Sequence, residues 1–301
     1  MNVLVTGSSG LVGSALVTQL ESDGHAVTRL VRSRRGGGEA RVLWDPEAGT
    51  IDSASLEGLD AVVHLAGESI AAGRWTAARK ARILESRVKG TRLLADALAG
   101  LQERPKVLIS ASAVGYYGDR GEESLREESA SGSGFLAEVC RQWEAAAAPA
   151  AQGGIRVVHP RFAMILSTAG GALQRLLLPF RLGLGGRLGS GRQFMSWVAL
   201  DDAVGAICHA LTHDDLQGPV NTASPTPLRN REFTRTLGHV LRRPTVFPLP
   251  AFAARLAFGQ MADELLLTSQ RVVPAKLLAS GYQFGFPDLE SALRHVLGKT
   301  A

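Results

Sequence analysis

The amino-acid sequence predicts an α/β fold, a doubly wound parallel sheet followed by a smaller, mainly helical C-terminal unit. Three observations predict it. Apolar, β-branched runs of strand length alternate with helical repeats through the first half, a glycine-rich turn joins the first run to the first helix, and the pattern changes at about Ala163, with prolines separating short helical stretches after Asn221.

The elements follow in order. Val3 to Thr6, Ala26 to Val31, Ala61 to Leu65, Val107 to Ser110 and Arg156 to His159 are short and rich in β-branched residues, as buried parallel strands are. Leu11 to Leu20 and Ala77 to Leu101 carry helical periodicity between them. The segment GGALQRLLLPFRLGLGGRLGSGRQFMSW joins a helix to a glycine-rich loop. ALDDAVGAICHAL then reads as a helix with Asp201 and Asp202 in its first turn, where the helix dipole favours them. After Asn221, Pro225, Pro227, Pro244, Pro248, Pro250, Pro274 and Pro287 punctuate a second unit whose frequent apolar residues keep it folded.

Composition narrows the function classes. With 301 residues, 45% hydrophobic and 20% charged, the chain can bury one large core or two unequal ones. No apolar run reaches the roughly 18 to 20 residues of a membrane span, and MNVLVTGSSG has no charged leader, so the expectation is a soluble cytoplasmic chain. Cys140 and Cys208 lack the spacing of a disulfide framework or zinc site, which fits a reducing compartment. The net charge of +5 does not come from a long basic run with interleaved aromatics. Its densest cluster, Arg29, Arg32, Arg34 and Arg35, reads as a local anion site. The expected partner is a small-molecule substrate, with no nucleic acid and no membrane, and a homodimer stays open.

Thr6-Gly7-Ser8-Ser9-Gly10-Leu11-Val12-Gly13 leaves a strand and enters a helix. Glycines there let the backbone turn tightly and approach a pyrophosphate, while the helix N-terminus offers N–H groups and partial positive charge. Gly7, Ser9, Gly10, Leu11, Val12 and Gly13 are therefore candidate cofactor residues. The same G-x-x-G-x-x-G spacing at Gly183, Gly186 and Gly189 lacks the strand before and the helix after. At the end of the second strand an NAD site would place an acidic residue, whereas this chain reads Leu30-Val31-Arg32-Ser33-Arg34-Arg35. Arg32, helped by Ser33 or Arg34, suits a 2′-phosphate, because guanidinium offers phosphate a charge-assisted fork. NADP (NADPH) is thus the expected cofactor. Leu65, Ala66 and Gly67 end a strand with small residues that let a nucleotide lie against the backbone, and His64 inside that strand reads as a core histidine.

TGSSGLVG, LDAVVHLAG, SRVKGTRLL, LISASAVGYYGD and WVALDDAV stand in the order and approximate spacing of the extended short-chain dehydrogenase/reductases, which include nucleotide-sugar epimerases. The chain resembles that group over residues 1 to 222. The remainder, with RNREFTRTLGHVLRRP and MADELLLTSQRVVPAKLLASGYQFGFPDL, looks like the C-terminal region of an atypical epimerase-like subfamily. The resemblance implies a Rossmann-like NADP-binding domain over 1–165 and 195–225, with a substrate domain over 166–194 and 226–301.

It also implies a serine, a Tyr-x-x-x-Lys pair and often an Asn, the phenol moving the substrate's proton and the serine bonding its oxygen. Ser112 matches the serine. The pair is missing, since the residues four places after Tyr116, Tyr117 and Tyr282 are Arg120, Gly121 and Phe286. With Glu144 as the glutamate that usually follows the motif, Cys140 falls at the lysine position and Leu136 at the tyrosine position, and a shift of one gives Val139 and Phe135. Arg87 stands where Asn is usual, either facing the cofactor or serving as a surface cation. Cys140 is either an acid or a buried thiol, and Tyr116 and Tyr117 either supply a phenol from another direction or pack. The arginine that holds a nucleotide diphosphate in extended epimerases falls at Met195, with Arg192 nearby. The leading expectation is an NADP(H)-binding, epimerase-like oxidoreductase in which Ser112, with Tyr116 or Tyr117, polarises a carbonyl. The alternative is a catalytically silent NADPH-binding sensor or regulatory protein.

Overall fold

The computed structural model describes residues 1–33 and 40–299. Strand β1 (Asn2–Thr6) turns into helix α1 (Leu11–Ser22), followed by β2 (Ala26–Val31), β3 (Arg41–Asp45), β4 (Thr50–Ile51) and β5 (Ala61–His64). Helix α2 (Ala77–Ala99) leads to β6 (Val107–Ser110), β7 (Ser112–Ala113), a 3₁₀ turn over Val114–Tyr117 and β8 (Ser124–Leu125). Then come α3 (Phe135–Ala146), α4 (Ala148–Gln152), β9 (Arg156–Phe162), β10 (Met164–Leu166) and α5 (Gly171–Arg181). Strands β11 (Phe194–Met195) and β12 (Trp197–Ala199) precede α6 (Leu200–Thr212), β13 (Gly218–Thr222), β14 (Leu228–Arg229) and α7 (Asn230–Leu241). The chain finishes with α8 (Ala251–Phe258), β15 (Arg271–Val272), α9 (Ala275–Ala279) and α10 (Leu289–Val296).

The main sheet runs β13-β9-β6-β5-β1-β2-β3-β4, parallel from β13 to β3, with β4 antiparallel at the edge. The strand order reverses between β1 and β5, and the crevice beyond their C-terminal ends is where open α/β sheets bind ligands. Alternate residues build the two faces. Val3, Val5, Val63 and Ile109 pack on Leu16 and Leu20 of α1 and Ile207 of α6, while Leu4, Val62 and Leu108 pack on Leu94 and Leu98 of α2. Each such side chain contributes about 1.5–3 kcal/mol on burial, which is why these runs become central strands.

β3 and β13 were not among the expected strands. β13, GPVNT, contains Gly218, Pro219 and Asn221, poor strand formers, and it holds as an edge strand paired on one side only, by β9. A third core gathers Leu173, Leu177 and Phe180 of α5, Trp197 of β12, Phe233 and Leu237 of α7, and Leu293 of α10. β15 pairs with β8 and stitches this unit to the first. Among the described residues no helix is long and apolar enough to cross a membrane.

Candidate functional site

The glycine turn is built as close approach requires. Gly7 has φ +65°, and a Cβ there would lie 2.8 Å from the Leu65 carbonyl carbon. A Cβ on Gly13 would lie 2.2 Å from the Gly7 carbonyl oxygen. Only glycine lets β1, α1 and the end of β5 meet this tightly. Gly10 is the N-cap of α1, and among the described residues no side chain caps the helix, whose first turn is Leu11, Val12 and Gly13.

A buried chain of hydrogen bonds ties this end of the sheet to α2 and α3. Thr6 Oγ1 accepts from the Leu65 and Ala66 N–H groups, so its own proton goes to His64 Nδ1 at 2.7 Å. His64 Nε2–H then donates to Thr91 Oγ1 at 2.9 Å, which also accepts from Trp143 Nε1 at 3.0 Å. Burial pushes the His64 pKa down to about 4, so the ring is neutral and fully used in this chain. His64 is the core histidine the sequence predicts.

Arg87 lies beside Gly67, whose Cβ would come 3.4 Å from the guanidinium carbon, and over the Trp143 ring at 4.9 Å. Its Nη1 donates to the Glu68 and Ile83 carbonyls, both at 3.0 Å. Burial disfavours its charge, and among the described residues no carboxylate lies within ion-pair distance. Arg32 and Ser33 are exposed just past the Thr6–Leu30 pairing of β1 and β2. Arg34 and Arg35 lie outside the described residues.

Ser112 is buried in β7 and donates its hydroxyl proton to Glu144 Oε1 at 2.6 Å. Arg161 grips the same carboxylate with Nε and Nη2, both at 2.8 Å. The guanidinium of Arg161 also stacks on Tyr116, 3.5 Å from the ring centre, and its Nη1 donates to Tyr117 Oη at 2.9 Å. Tyr117 is fully buried and donates to Asn221 Oδ1 at 2.7 Å; burial outweighs Arg161 in pushing its pKa up to about 12. Tyr116 is half-buried, and its hydroxyl has no hydrogen bond among the described residues. Sequence reasoning missed Arg161 and Asn221, whose only signal is proximity in the fold.

Cys140 is buried on the α3 face that meets the turn after β7, its Sγ 3.6 Å from the Ala113 carbonyl oxygen. Burial, then Glu144, pushes the thiol up to about 11. A Cβ at Gly115 would lie 3.2 Å from Leu136, so Leu136 and Cys140 share this face. The N–H groups of Phe135 and Leu136 donate to the two Glu264 oxygens at 3.1 and 2.7 Å, a carboxylate from the C-terminal unit at the start of α3. Beside them a cleft of about 260 Å³ is lined by Gly115, Leu136, Asp119, Asp263, Glu264 and Gln270, among others. Arg255, also on its wall, is paired with Asp263 at 2.8 Å. Met195 packs against the third core, and Arg192 is exposed.

A family model, the NAD dependent epimerase/dehydratase family, matches residues 3–223, and a second, a domain of unknown function, matches residues 249–296. An epimerase family protein of Mycobacterium bovis is 45% identical over 291 residues, 97% of this chain and 96% of its own. The crystal structure of human epimerase family protein SDR39U1 with NADPH superposes with a TM-score of 0.91 at 37% identity, covering 100% of both chains. A nucleoside-diphosphate sugar epimerase from Corynebacterium glutamicum gives 0.83 at 40% identity over 99% of this chain and 58% of that one.

Proposed function

Because the chain belongs to the NAD dependent epimerase/dehydratase family, we propose that it is an NADP(H)-binding oxidoreductase acting on a small hydroxy or carbonyl compound. The observation that carries this reading is a glycine cradle and bare helix N-terminus at the strand-order reversal, on the same sheet edge as buried Ser112. The residues fit a dinucleotide, since a Cβ at Gly7 or Gly13 would fill the cradle. The backbone from Gly7 to Gly13, with Ser9, would hold the pyrophosphate. Arg87 would supply a positive charge that has no carboxylate within ion-pair distance among the described residues, Leu65 to Gly67 would back the nucleotide, and Arg32 with Ser33 would take the 2′-phosphate. The NADPH in the human relative's structure supports this choice. Bound there, the cofactor supplies or accepts a hydride.

The protein's own residues then handle the oxygen. Glu144, held by Arg161, accepts the hydrogen bond of the Ser112 hydroxyl, so toward a ligand Ser112 offers lone pairs and suits a substrate hydroxyl. Tyr116 is the phenol left for proton transfer, because Tyr117 is committed to Asn221 and Arg161. The Cys140 thiol is buried, its pKa pushed up to about 11, with Sγ lying against the Ala113 carbonyl, and it is read as a packing residue. The cleft at Leu136, walled by Asp119, Asp263 and Glu264, favours a neutral hydroxylated compound over a nucleotide diphosphate. Two free cysteines support a reducing cytoplasmic setting.

A second reading, a silent NADPH-binding regulatory protein, is favoured by one observation: Leu136 and Cys140 occupy the places of the usual acid/base pair. One experiment separates them. Purified protein is given NADPH with a carbonyl panel and NADP⁺ with an alcohol panel, alongside Ser112→Ala and Tyr116→Phe. Turnover that both variants reduce supports the oxidoreductase; tight NADPH binding with no turnover on either panel leaves the regulatory reading.

A further inference from the structure

Two stretches, residues 168–200 and 233–262, contain eight arginines and no aspartate or glutamate. They also carry eight of the ten large hydrophobic side chains left exposed among the described residues. Exposed apolar groups scattered singly are ordinary, but a concentration on one face marks an interaction surface.

The fold brings the two stretches together. Phe247 N–H donates to the Gly185 carbonyl, Leu249 N–H to the Arg187 carbonyl and Gly189 N–H to the Leu249 carbonyl, so residues 185–189 and 247–249 form one ribbon. Arg243 Nε reaches back to the Arg181 carbonyl at 2.8 Å, tying α5 to the same ribbon. At the end of α5, Leu178 and the C-cap residue Leu182 sit four residues apart and are 66% and 65% exposed; on α8, Phe252 and Leu256 repeat the spacing at 73% and 76%. Val246 and Phe247, next to and on the ribbon, are 69% and 56% exposed. Around these lie Arg181, Arg187, Arg235, Arg242 and Arg243, all exposed, and none has a carboxylate within ion-pair distance among the described residues.

We propose that this face seats the protein on an anionic lipid bilayer surface, with the α5 and α8 side chains entering the headgroup boundary and the arginines facing lipid phosphates. Projecting Leu and Phe groups ringed by unpaired arginines have the chemistry of an interfacial anchor. A second copy of the chain is disfavoured, since a two-fold contact would set arginines against arginines. The expectation of no membrane partner rests on the lack of a spanning segment, which does not bear on surface attachment. The proposal is independent of the chemistry at Ser112.

The test is flotation of the purified full chain with vesicles of phosphatidylcholine alone and with added phosphatidylglycerol, across a salt series. Binding is expected only to the anionic vesicles, falling by about tenfold or more between low and high salt as phosphate contacts are screened. Phe252→Ser with Leu256→Ser, and separately Arg181→Glu with Arg187→Glu and Arg243→Glu, should each weaken binding at least about tenfold. Thermal unfolding and NADPH binding of both variants show that they are folded. No flotation with anionic vesicles at low salt overturns the proposal. So does equal flotation of the folded variants, or light scattering that shows a stable dimer dissociated by the Phe252 and Leu256 changes.

Discussion

Ser112 donates its hydroxyl proton to Glu144 across 2.6 Å, and Arg161, only 3% exposed, bonds both oxygens of the same carboxylate. A serine so placed is a fixed acceptor, and the carboxylate that fixes it survives burial because a bidentate cation neutralises it.

Glu144→Ala should therefore cost about 3–5 kcal/mol of stability, since it strands the buried Arg161 charge. Glu144→Gln should cost less, keeping one acceptor for the guanidinium. Urea unfolding of both variants checks the order. Equal stability of Glu144→Ala and parent would mean that the pair holds nothing together.

Gly13→Ala should abolish NADPH binding and destabilise the chain by about 1–3 kcal/mol, because the added methyl would meet the Gly7 carbonyl at 2.2 Å. Fluorescence titration with NADPH and a melting curve read the two effects. An alanine variant that binds as the parent does would displace the pyrophosphate from this turn.

Arg32→Ala should weaken NADPH by roughly tenfold to a hundredfold, the worth of about 1.5–3 kcal/mol for hydrogen bonds to a charged group. NADH affinity should hardly change. Calorimetric titration with both cofactors decides it; a parallel loss for both would place Arg32 elsewhere than at a 2′-phosphate.

His64 makes folding pH-dependent. Burial lowers its pKa from 6.5 to about 4, so between these values the unfolded chain binds the proton and the folded one does not. This contribution to stability is complete above about pH 6.5 and is lost as pH falls toward 4, up to about 3 kcal/mol in all. His64→Gln should flatten that part of the stability profile measured by denaturant titration at stepped pH.

Cys140 should resist alkylation at pH 8, because its thiol is buried and raised to about 11. Mass spectrometry after iodoacetamide treatment should find it unmodified in the folded protein and modified in urea. Rapid labelling in the native state would reopen its use as an acid.

Much of the fold was legible in the sequence because local rules wrote it. β-branched runs, the glycine turn into α1 and the acidic first turn of α6 each specify their own conformation, and the bounds of β2 and β6 in the structure are those the pattern predicts. β13 was not legible, since a strand of Gly, Pro and Asn forms only where a neighbouring strand and a covering core hold it. The candidate site divides the same way. The sequence by itself determined the phosphate cradle, the basic end of β2 and the loss of the tyrosine and lysine, because each is a matter of residue type at a given spacing. Only the tertiary structure decided that the Ser112 hydroxyl donates to Glu144, that Tyr117 is locked to Asn221 while Tyr116 is not, and that Glu264 seals the start of α3. Those pairings join residues 32, 104 and more than 120 positions apart, and hydrogen-bond direction follows from which donors and acceptors packing brings within 3 Å.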